Sequence, residues 1–76
     1  MAYRKYIIRN RSEEAWLTNI SIDKGTKIYQ YMPDAGKAMI VETLHEARRI
    51  AYECRGRVQR LRMDRNGRAY GEDVKK

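Results

Sequence analysis

At 76 residues, with a net charge of +7, one cysteine and one histidine, the chain makes a single domain (1–76) whose small core homodimerisation would enlarge. The composition excludes an internal disulfide framework, a zinc site built from cysteine and histidine alone, and a membrane-spanning helix, since no apolar run approaches ~18 residues. The charge points to a polyanionic partner: nucleic acid, an acidic protein surface or anionic lipid.

YRKYIIR, residues 3–9, is rich in tyrosine and isoleucine and predicts a first strand. After the polar turn NRSEE, residues 15–22 (AWLTNISI) place Trp16, Ile20 and Ile22 on one face at period two, with Thr18 between them. DKGT is a hairpin signal, in which Gly25 takes φ > 0 in a short loop with a G1 bulge. KIYQYM, residues 27–32, is the return strand, with Ile28 and Met32 on one side and Tyr29 and Tyr31 on the other. Pro33-Asp34-Ala35-Gly36 breaks the sheet in a turn or one short helical turn. AMIVE, residues 38–42, reads either as a short strand or as the lead into a helix.

The helix is the best-signalled element. Thr43 and Glu46 make a capping box, the hydroxyl taking an orphan N–H and the carboxylate reaching back. Leu44, Ala47, Ile50, Ala51 and Cys54 form one apolar stripe, and Gly56 suits the C′ position. VQRLRM then predicts a strand with Leu61 and Met63 facing one way and Arg60 and Arg62 the other. Val58 breaks that alternation, which predicts a bulge or a late strand start. Residues 64–76 begin with a turn around Asn66-Gly67 and fray at the end. The fold class is therefore α+β: an antiparallel sheet of three to five strands with one helix packed on one face, in the order β-β-β-(β)-α-β.

The charge is uneven. Residues 48–68 hold eight of the eleven arginines and only two acids, Glu53 and Asp64. On the helix, Arg49 has Glu46 and Glu53 within one turn and reads as ordinary surface pairing. Arg48 and Arg55 share another edge with Tyr52, and none of the three has an acid at i±3 or i±4. Arg57, Arg60 and Arg62 follow at once. Such a run, with Arg65 and Arg68 as outer electrostatics, reads as a footprint for phosphate or for an acidic surface, because guanidinium binds phosphate bidentately and stacks on bases. Tyr29 and Tyr31 on one strand face are candidates for stacking unpaired bases, against the plainer role of packing. Cys54 on the apolar stripe reads as a small buried hydrophobe.

No GxSxG, HExxH, CxxC or paired-carboxylate pattern appears, so no enzyme and no cofactor are expected. A metal-dependent nuclease would have to recruit Glu42, His45, Glu46 and Asp64, whose spacing does not ask for it.

YIIRN opening a strand, VETLHEARRIAYE as strand into helix, and GRVQRLRM followed by NG resemble the layout of small phage and mobile-element proteins, several type I anti-CRISPR proteins among them. Their "L-x-E-A-x-x-I-A" helix core is matched here by Leu44, Glu46, Ala47, Ile50 and Ala51. The resemblance implies a stoichiometric, non-enzymatic binder in the cytoplasm of a bacterial host, acting on a nucleic acid or a nucleoprotein complex as a host-defence inhibitor. Many such inhibitors are acidic mimics of DNA, whereas this chain is basic. It would have to dock on an acidic patch or grip nucleic acid together with the complex. A free-standing nucleic-acid-binding accessory or regulatory protein is the alternative, followed by a protein-interaction module that uses its basic face.

Overall fold

The computed structural model describes residues 5–74. One antiparallel sheet is built from β1 (Tyr6–Arg9), β2 (Trp16–Asp23), β3 (Thr26–Met32), β4 (Arg57–Met63) and β5 (Ala69–Asp73), in the spatial order β3-β2-β1-β4-β5. A single helix, α1 (Leu44–Cys54), lies across one face, so the fold is α+β as the sequence leads one to expect. Tyr3 and Arg4 of the expected first strand lie outside the described residues.

β1 is short but central, and its YII run is buried on both faces. Tyr6 and Ile8 join Leu17, Val41, Ala47 and Ala51 beneath α1. Ile7 points the other way, to Trp16 and Ala35. Ala47 and Ala51 are the buried residues of the helix, and their lone methyl groups let α1 settle onto the sheet. The opposite face is covered in part by a 3-10 turn, Ala35–Lys37, which Asp34 caps by accepting from Gly36 N at 2.9 Å.

Four features depart from the pattern that the sequence suggests. In β2 an extra residue at Thr18 shifts the register between Leu17 and Asn19. Leu17 and Ile20 therefore share the helix face while Trp16 stands on the other, so Trp16, Ile20 and Ile22 do not form one stripe. The β2–β3 connection is a two-residue turn rather than a loop with a G1 bulge: Asp23 pairs with Thr26, and Lys24 (φ 52°) and Gly25 (φ 81°) are both left-handed. In β4 no bulge occurs at Val58. Ile8 pairs with Val58 and Tyr6 with Arg60, so Val58, Arg60 and Arg62 share the helix face, and Arg57 points the other way with Gln59, Leu61 and Met63. Finally, the tail expected to fray holds the fifth strand. After the Asn66-Gly67 turn (Gly67 φ 79°), Ala69–Asp73 pairs with β4 along its length; Lys75 and Lys76 lie outside the described residues.

The segment 38–42 is neither a regular strand nor a lead into the helix. β1 and β2 share only the Arg9–Trp16 pair and then splay. Into that wedge come Met39, whose N–H donates to Leu17 O at 2.8 Å, and Val41, which exchanges two 2.8 Å backbone bonds with Tyr6. The wedge thus satisfies backbone groups that the splayed strands would leave open.

Candidate nucleic-acid interface

The end of α1 sets the geometry of the site. Thr43 Oγ1 accepts from Glu46 N at 3.2 Å, as the capping box requires, but the Glu46 carboxylate turns outward to Arg49 (3.2 Å) instead of reaching back. At the other end the left-handed residue is Arg55 (φ 57°, ψ 39°), not Gly56. Gly56 N donates to Ala51 O at 2.8 Å, the six-to-one closure that puts Gly56 one position past C′. Glycine is needed there for space: a Cβ would meet Ile8 Cγ2 at 2.6 Å and Arg9 O at 3.0 Å. Arg11, from the β1–β2 loop, donates through Nε to Gly56 O at 3.4 Å and so brings its guanidinium to the same end.

Between α1 and the β4–β5 margin lies an open groove of about 1090 Å³. Ala51, Val58 and Val74 line it with apolar atoms, Arg11, Arg48 and Arg55 stand around it, and Arg57 borders it from the start of β4 although its side chain turns to the opposite face to meet Asp73. Tyr52, on the same helix edge, is 86% exposed. Arg48, Tyr52 and Arg55 are thus brought together as their spacing suggests.

The arginines divide into engaged and free. Arg57 pairs with Asp73 (3.5 Å) and Arg62 with Glu72 (3.3 Å), both acids being supplied by β5. Arg11, Arg48, Arg55, Arg60, Arg65 and Arg68 have no carboxylate within ion-pair distance among the described residues. Glu53, which also lines the groove, is held by Lys27 Nζ at 2.9 Å rather than by Arg49. Its carboxyl sits below its ordinary pKa because of the hydrogen bond and charge of Lys27, whose own pKa is raised by the same pair.

Arg60 lies apart from the groove, beside Tyr6 and opposite Glu72, with its Nε buried and unpartnered. Arg65 and Arg68 are exposed around the β4–β5 turn. Tyr29 and Tyr31 do not form an open stacking surface: both are half-buried against the core on the helix face. Burial, followed by interaction with the Cys54 side chain, pushes Tyr31 up to about 12. Arg11 is the groove residue that sequence reasoning missed, because it lies far from the arginine run and only the fold brings it to Gly56.

Among the described residues, no three His, Cys, Asp or Glu side chains gather closely enough to hold a metal ion, and Glu42, His45, Glu46 and Asp64 form no such group. No described helix is long and apolar enough to cross a membrane. Comparison with protein-family models, with curated proteins and with solved structures finds no match to this chain.

Proposed function

We propose that this protein is a small non-enzymatic binder that grips the phosphate backbone of a nucleic acid, free or held in a nucleoprotein complex, through the groove beside α1. One observation carries the reading. Arg11, Arg48 and Arg55, which have no carboxylate partner among the described residues, meet at one apolar-floored groove, while Glu53, the acid that lines it, is held by Lys27. Guanidinium groups left unpaired in this way suit bidentate contact with phosphate. Arg57 and Arg62 act more weakly because their pairs must open first, and Arg65 and Arg68 add charge at a distance. The resemblance to small phage proteins supports use of this grip as a host-defence inhibitor, acting by occupancy with no bond made or broken.

The test is fluorescence anisotropy of labelled nucleic acid titrated from about 50 to 200 mM salt, where phosphate-driven binding weakens steeply. Saturable binding that persists at the upper end and is abolished in Arg48→Glu/Arg55→Glu, with an unchanged melting temperature, supports the reading. No binding at any salt concentration overturns it and moves the basic face to a protein partner.

A further inference from the structure

We propose, resting on the reading above, that the ligand of this groove is a single strand, with an unpaired base stacked on Tyr52 and neighbouring phosphates held by Arg48 and Arg55. Tyr52 is 86% exposed, more than any other large apolar side chain described. A ring left so bare on a helix edge covers no core of its own. It stands between Arg48, one turn back on the helix, and Arg55, just past the helix end, and all three line the same groove. At ~1.5 Å per residue the two arginines are separated by about 10 Å along the helix, with the ring between them. The groove that Tyr52 borders is also lined by Ala51, Val58 and Val74, whose apolar atoms accept the edge of a base without asking it for hydrogen bonds. An aromatic platform flanked by cations is the general means of holding unpaired bases, each stack contributing about 1–3 kcal/mol with little sequence preference.

The same helix is poorly made for a duplex. A recognition helix enters the major groove with its N-terminal residues foremost. Here that end carries Glu42 and Glu46, and the outward face continues through Arg49 to Glu53. These carboxylates would meet phosphate. Arg48, Tyr52 and Arg55 line the groove with Glu53 as the one acid of the helix beside them, and that carboxylate is held by Lys27; a paired, stacked base offers no face to a ring there.

The experiment compares anisotropy of labelled oligothymidylate, oligouridylate, a hairpin duplex and inorganic polyphosphate competitor. Wild type, Tyr52→Ala, Tyr52→Phe and Arg48→Glu/Arg55→Glu are measured in parallel. Tyr52 is exposed, so circular dichroism should be the same in all. The expected result is that single strands bind more tightly than the duplex. Tyr52→Ala should weaken single-strand binding about 5- to 100-fold, and Tyr52→Phe should restore it. Equal affinity for duplex, a neutral Tyr52→Ala, or competition by polyphosphate as strong as by oligonucleotide overturns the proposal and leaves the phosphate grip standing. Absence of binding to every nucleic acid overturns both.

Discussion

The indole of Trp16 donates to the side-chain carbonyl of Gln59 across 2.9 Å, tying β2 to β4 over 43 positions of sequence. Gln59 passes the bond on, its amide donating to Asp73 Oδ1 at 2.9 Å, so three strands share one polar chain that runs from the buried indole to the exposed Asp73. Gly71 lies directly beneath it, where a Cβ would run into the Gln59 carboxamide. Trp16→Phe leaves a buried acceptor unmet and should cost about 1–3 kcal/mol. Gly71→Ala should cost about 1–3 kcal/mol through overpacking. Urea unfolding curves read both, and a cost near zero for either would show that the chain of bonds is dispensable.

Arg55 holds a left-handed backbone that glycine would hold more easily. A side chain with a Cβ costs about 1–2 kcal/mol there, of which the looser unfolded chain of glycine gives back about 0.4–1. Arg55→Gly should therefore stabilise the fold by about 0.5–1 kcal/mol while weakening nucleic-acid binding. Melting temperature and anisotropy on the same preparation separate the two effects. A variant that is both less stable and weaker in binding would make Arg55 a structural residue instead.

Tyr31 is pushed up to about 12 chiefly by burial, so the folded chain keeps a phenolic proton that the unfolded chain loses near its ordinary value of 10.0. Stability should fall as pH rises from there toward about 12, and Tyr31→Phe should flatten that fall. On the acid side, the lowered pKa of Glu53 means that its pairing with Lys27 is intact above the ordinary carboxylate range and is lost as pH drops through the lowered value. Denaturant midpoints across pH measure both limbs. An alkaline slope unchanged in Tyr31→Phe would assign it to another group.

Arg60 carries a buried Nε with no acceptor. Arg60→Met keeps the stem that covers Tyr6 and removes the unmet donor. It should leave stability unchanged or raise it by about 1 kcal/mol. Because Arg60 stands outside the groove, oligonucleotide affinity should fall far less than in Arg48→Glu/Arg55→Glu. A steep loss of binding would extend the interface along β4.

How far the sequence was readable depends on how local each signal is. Thr43 with Glu46, Lys24-Gly25 and Asn66-Gly67 all act within a few residues, and each appears in place as a helix start or a turn. The Arg48–Tyr52 edge was readable too, because helical spacing brings those residues together, whereas Arg55 joins them past the end of α1 through its left-handed backbone. The phase shift at Thr18 was not, since a bulge is set by what β3 and α1 demand of Leu17 and Ile20. Nor was β5: Ala-Tyr-Gly-Glu-Asp has a glycine and two acids and little strand propensity of its own. It is a strand because Gly71 fits under Gln59 and because Glu72 and Asp73 meet Arg62 and Arg57. That same strand decides which arginines are free, and so the split within the arginine run was hidden along with it.

β1 precedes the other four described strands in the chain, and β4, its neighbour on one side, comes after β2, β3 and α1. The β2–β3 hairpin and α1 are local in sequence, whereas closing β1 onto β4 brings together Tyr6 and Arg60, which are far apart in the chain. During translation the YII run therefore waits, apolar on both faces, until Arg57–Arg60 leave the ribosome. Aggregation of nascent chains stalled before Arg57, relieved once β4 is released, is the outcome expected from this topology.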